Sequence, residues 1–143
     1  MSTAPDSVIR TWFEEVWNQG REETIDRLFA RDGLAHGLAS PDGLPLRGPD
    51  AFRPFYRRFR GAFPDIHIEV ARTVTEGDMV SAHSHVTGTH QGHDLGVSAT
   101  GNPVDFWGMC IARMRDGQIV EAWNNFDFLS LYQQIRLLPQ LPA

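Results

Sequence analysis

Four histidines stand between residues 83 and 93 of this 143-residue chain, and a carboxylate, Asp127, closes the aromatic-flanked segment WNNFD. His83 and His85 are two residues apart in an alternating segment, so in a strand both imidazoles point to one side, where they can contact one ligand or one metal ion. Asp127 beside aromatic side chains is a candidate for a carboxyl of raised pKa, able to work as acid or base near neutral pH. Asp127, His83 and His85 are therefore the candidate catalytic groups. No zinc-finger spacing and no H-E-x-x-H helix accompanies the histidines, and no metal is expected. His90, between Gly88 and Gly92, is placed at a pocket mouth.

Other chemistries are excluded by residue type. Cys110 is the only cysteine, so no internal disulfide or four-cysteine zinc site can form. All thirteen basic side chains are arginines. Without lysine there is no Schiff-base or phosphate-loop chemistry, and neither the Gly-x-Gly-x-x-Gly cradle nor the Gly-x-Ser-x-Gly elbow occurs. No cofactor is expected.

The elements that must position these groups follow from the period of the apolar residues. Ser7–Gln19 and Arg21–Ala30 read as a helix pair broken at Gly20, with 33–48 as a Gly/Pro-rich loop holding at most one short extended piece. A third helix begins near Pro49, carries Phe52, Phe55, Tyr56, Phe59 and Phe63 at helical spacing, and stops at Pro64. From Asp65 the period becomes two, through 66–70, 80–87, 104–115 and 118–128. Helices followed by an antiparallel sheet make an α+β fold in one domain, residues 1–143.

Asp116-Gly117 signals a two-residue hairpin. Carried along both strands without interruption, that turn puts Phe106, Gly108, Cys110 and Ala112 on one face with Ile119, Glu121, Trp123, Asn125 and Asp127. Small residues would then face large or polar ones and leave room for a small molecule. The expected pocket wall is Phe106, Cys110, Trp123 and Asn125, with His90 at the mouth and Phe59 from the third helix. The other face, with Trp107, Met109, Ile111, Ala122 and Phe126, would be a subunit interface, making a homodimer the expected state.

The net charge of −5 gives no basis for nucleic-acid binding. No span reaches the ~20 apolar residues a membrane helix needs, and the first residues lack the apolar middle of a secretory signal. The expectation is a cytoplasmic protein with a small hydrophobic partner and neither nucleic acid nor membrane.

The segments TWFEEVWNQG, GPDAFRPFYRRFRGAFPDIHIEV, HVTGTHQG, GNPVDFWGMCIARMRDGQIVEAWNNFD and FLSLYQQIRLL resemble the SnoaL-like polyketide cyclase family of the NTF2-like superfamily, over about residues 7–138. The resemblance implies a cone-shaped α+β barrel, three amino-terminal helices on a strongly curved, mainly antiparallel sheet, and a homodimer. It also implies a cofactor-independent intramolecular aldol cyclisation of a polyketide-like carbonyl compound, with Asp127 matching the family's acid/base aspartate. Family members often carry arginine where His83 stands and aspartate where Asn124 stands. An isomerase, an epoxide hydrolase-like enzyme and a non-catalytic binding or dimeric accessory protein are the other readings this architecture allows.

Overall fold

The amino-terminal apolar residues recur every four positions, as Val8, Trp12, Val16 and as Ile9, Phe13, Trp17, and all six are buried. A 3.6-residue helix would rotate such a pattern steadily out of register, whereas a wider turn holds it in line. In the computed structural model, which describes residues 3–140, α1 (Pro5–Thr11) accordingly continues as a π-helix over Trp12–Asn18. Its end is marked by the Gln19 N–H donating to the Glu14 carbonyl, five residues back, at 2.9 Å.

The rest of the chain is α2 (Glu22–Leu28), β1 (Phe29–His36), β2 (Leu46–Arg47), α3 (Gly48–Ala62), β3 (His67–Glu76), β4 (Met79–Thr89), β5 (Pro103–Arg115), β6 (Gln118–Phe126) and α4 (Phe128–Gln134). The six strands form one sheet in the order β2-β1-β6-β5-β4-β3. The pairing is antiparallel except between β1 and β6. The sheet is an unclosed cone with the helices against its inner face, the α+β architecture the sequence implied. A fourth helix, α4, joins the three amino-terminal ones.

The expected helix over Arg21–Ala30 ends at Leu28, and the expected loop begins with strand β1. Segment 29–36 has Asp32 and Gly33 at its centre and little strand propensity of its own. Pairing with β6 supplies its backbone hydrogen bonds.

Aromatic rings hold the helices to the sheet. Trp12 packs on Phe29 and Phe52, and Trp17 on Phe52, Phe55 and Tyr56, with centroids 5.1–6.4 Å apart. Buried Tyr56 donates its hydroxyl to the Val16 carbonyl at 2.8 Å. At the β3 edge the Asn18 side chain acts as a further strand rung, donating to the Ile68 carbonyl and accepting from the Ile68 N–H. The basic run of α3 is also structural. Arg53 bridges Glu22 and Asp26 of α2, Arg57 joins it on Glu22, and Arg60 donates to the Trp17 carbonyl.

One irregularity decides which side chains face inward. The β5–β6 hairpin starts in the expected register, Arg115 opposite Gln118 and Met114 opposite Ile119, but Arg113 then faces Glu121. Val120 is an extra residue, a β-bulge, and beyond it every residue of β6 changes face. Ala122, Asn124 and Phe126 come opposite Ala112, Cys110 and Gly108. Trp123 and Asn125, expected on the pocket wall, pass to the outer face, and Ala122 and Phe126, expected outside, come in.

Candidate active site

Between the helices and the inner sheet face lies a cavity of about 80 Å³. The π-helix contributes Trp12, Phe13 and Trp17; α3 contributes Phe52, Phe55 and Phe59; the strands contribute Ile68, Val86, Phe106, Cys110, Asn124 and Phe126, with Phe128 after them. Asn124 is the one lining side chain with a polar amide or charged group. Its Nδ2 donates to the His36 carbonyl at 2.9 Å. Only the nitrogen can make that bond, so Oδ1 is the end turned away from His36.

Of the residues proposed from sequence, Phe59, Phe106 and Cys110 line the cavity. Burial pushes the Cys110 thiol up to about 11, so it is a neutral packing group at physiological pH. The room expected beside Gly108 is filled by Phe126, whose Cδ2 lies 2.1 Å from where a Cβ on Gly108 would stand.

His83 and His85 face away from the cavity. β4 alternates strictly, with Val80, Ala82, Ser84 and Val86 buried and both histidines on the other side. There their rings pack on Trp107 at 4.6 Å each, His85 Nε2 meets Asp105 at 2.6 Å, and His83 contacts Arg72. The Asp127 N–H donates to the Trp107 carbonyl at 3.0 Å, but the Asp127 carboxylate is held by Ser130 and the two imidazoles by Asp105 and Arg72. Trp123 lies on the same outer face, stacked on His36 with Arg113 over its ring, and Asn125 is exposed.

His90 is fully buried behind the cavity wall against Phe63, rather than at a mouth. Its Nδ1 accepts the Thr100 N–H at 3.2 Å and also meets Thr100 Oγ1. A backbone N–H can only donate, so the ring proton sits on Nε2. Burial lowers the His90 pKa, keeping the ring neutral, and it pins the 90–102 loop.

Asp127 is exposed and is the N-cap of α4. It accepts the Ser130 N–H at 3.0 Å and the Ser130 hydroxyl at 2.6 Å. Those two bonds lower its pKa, where an apolar pocket was expected to raise it. Its neighbours in sequence, Phe126 and Phe128, both line the cavity.

A cone of helices over a curved sheet around an apolar cavity is a shape shared with known proteins. The model of the SnoaL-like polyketide cyclase family matches residues 7–135. The chain belongs to this family. Among its relatives is aklanonic acid methyl ester cyclase DnrD of Streptomyces peucetius, 29% identical over 136 residues that cover 94% of this chain and 92% of DnrD. The aklanonic acid methyl ester cyclase DauD of Streptomyces sp. strain C5 is 28% identical over 122 residues, covering 85% and 75% of the two chains. Among solved structures, IdmH from Streptomyces antibioticus superposes with a TM-score of 0.80 at 29% identity, covering 92% of this chain and 98% of IdmH.

What sequence reasoning missed in this SnoaL-like site is mostly the helical wall and Asn124. The four-residue spacings of Val8, Trp12 and Val16 and of Ile9, Phe13 and Trp17 marked a buried face without saying that a cavity lies beneath it. The outward polar set Glu121, Asn125 and Asp127 was the available signal that Asn124 faces in.

Proposed function

We propose that this protein closes a ring in a small, largely apolar carbonyl compound by cofactor-independent acid/base catalysis, as a polyketide cyclase. The reading is carried by the cavity, whose lining is apolar except for Asn124, in a chain of the SnoaL-like polyketide cyclase family. The aromatic wall holds a flexible substrate folded, so that its two reacting carbons meet. Asp127, ionised at neutral pH and exposed between the cavity-lining Phe126 and Phe128, takes a proton from a carbon next to a carbonyl in the part of the substrate that projects from the cavity. The resulting enolate carbon attacks a second carbonyl of the same molecule, and the new alkoxide takes the proton back from Asp127. No atoms are gained or lost. Asn124 has a second N–H with which to hydrogen-bond the developing oxyanion.

The substrate named for the two cyclase relatives, aklanonic acid methyl ester, is the first compound to assay. The wild-type chain should convert it to a cyclised isomer, and D127N should bind it without converting it. Conversion by D127N at the wild-type rate would remove Asp127 from the chemistry. The capping role of Asp127 favours one other reading, a binding protein without turnover, which predicts saturable binding and no conversion by the wild type.

We further infer a homodimer formed through the outer sheet face. Trp107, Met109 and Ile111 are 41–49% exposed in a row along β5. A contiguous apolar strip of this kind is uncommon on a monomer, and flanking charges of both signs, Arg72 and Arg113 with Asp105 and Glu121, suit pairing with itself.

A further inference from the structure

Among the described residues two buried side-chain polar atoms have no hydrogen-bond partner, His90 Nε2 and Ser84 Oγ. His90 has an evident structural task through its other nitrogen. Ser84 has none. It is wholly buried on the inward face of β4, between Ala82 and Val86. A hydroxyl withdrawn from water with nothing to bond is costly, and alanine would fit the same strand position without that cost.

Ser84 lies just behind the cavity wall, with wall residues near it on three strands. Val86 follows it along the strand; Phe106 and Cys110 flank its partner Gly108; Ile68 is two residues from its other partner, Val70. Gly108 is also the residue on which the Phe126 ring lies. The cavity, at about 80 Å³, holds several waters but is well below the roughly 300–1,000 Å³ of small-molecule sites. A ring compound must therefore displace part of the wall. Phe126 is half-buried and its ring packs on Phe128, the first residue of α4, so turning it breaks that one stack and leaves the amino-terminal helices in place. Its departure opens the floor at Gly108 and Ser84.

We propose that Ser84 is a substrate-positioning residue, its hydroxyl hydrogen-bonding an oxygen of a bound aromatic ketone or phenol at the cavity floor once the Phe126 ring leaves Gly108. This rests on the cone being the binding site for an oxygenated apolar compound. A serine hydroxyl donates to a carbonyl or accepts from a phenol equally well. Asn124 is two strands and two residues away, about 12 Å along an uncurled sheet. The two polar groups thus mark different ends of one apolar space and set which way round a ring system enters.

The test uses 9,10-anthraquinone and anthracene, which share a skeleton and differ in the carbonyls, with binding read by quenching of the cavity tryptophans Trp12 and Trp17 in the wild type, S84A and S84C. S84A should unfold at or above the wild-type temperature, bind anthraquinone about 3- to 10-fold more weakly and bind anthracene unchanged, the loss expected for one neutral hydrogen bond. S84C, similar in size with a weaker donor, should fall between. Equal anthraquinone affinity in all three proteins overturns the role of Ser84, as does a lower unfolding temperature of S84A with unaltered binding, which would mean an internal partner. Failure of the wild type to bind either compound would instead refute the cone as the binding site.

Discussion

Cys110 faces Asn124 across the β5–β6 ladder, and that pairing puts an amide, where the uninterrupted hairpin would put the Trp123 indole, on the cavity wall. The amide is tied to the rim of the sheet through the His36 carbonyl. The bulge at Val120 thus determines both what a ligand touches and how β1 is fastened to β6.

Replacing Asn124 separates these two effects. N124L leaves the His36 carbonyl without its donor and should cost about 1–2 kcal/mol in urea unfolding. N124D places a carboxylate against that carbonyl and should cost more, above the pH at which the new carboxyl ionises. An N124D protein as stable as the wild type at neutral pH would show that the bond to His36 contributes nothing.

Asp127 is tested through its cap. Asparagine is itself a good N-cap, so D127N should keep the fold to within about 0.5 kcal/mol while D127A loses about 1 kcal/mol. The folded carboxyl is held below its ordinary value by Ser130. The stability it adds is therefore present above the ordinary carboxylate pKa and is lost as pH falls through the lower, folded one. Denaturation measured down the acid limb should accordingly be less pH-dependent in D127N than in the wild type, and identical acid limbs would contradict the assigned shift.

His90 has the corresponding signature near neutrality. Its pKa is lowered by burial from an ordinary value of 6.5. Between the folded pKa and 6.5 the unfolded chain binds more protons, so stability rises with pH through that window and is complete above it. The wild-type urea midpoint should climb as pH rises towards 6.5 and level off above it, and H90N, which keeps an acceptor near the Thr100 N–H, should climb less. The difference between the two proteins isolates His90 from the other five histidines.

The outer face is tested by a charge at its centre. Met109 is 49% exposed and can carry an arginine without disturbing the core. M109R should therefore leave the unfolding of a monomer unchanged but convert a dimer to half its mass in sedimentation equilibrium. A wild-type chain that already sediments as a monomer would reject the interface.

The sequence by itself determined the class of fold. The change of period from helix to strand at Asp65, the stop at Pro64 and the Asp116-Gly117 turn are local properties of the chain, and each element they imply from α3 to β6 is present. The inward facing of three expected wall residues was legible too: Phe106 and Cys110 because a residue between two outward-facing neighbours in a strand must point in, and Phe59 because it follows Phe52 and Phe55 on one helical face.

The facing of β6 was not legible from the turn alone. The hairpin argued for odd-numbered residues inside, while Glu121, Asn125 and Asp127 argued for even-numbered ones. Both arguments are right on their own side of Val120, since a bulge costs little locally and is chosen by which side chains the whole core can accommodate. Strand β1 was hidden for a related reason, its stability lying in a partner about 90 residues away in the chain. Only the tertiary structure showed that Asp127 begins a helix and that His83 and His85 stack outward on Trp107. It alone left the Ser84 hydroxyl with nothing inside the chain to bond, because hydrogen-bond satisfaction is a property of the assembled core and of no single segment.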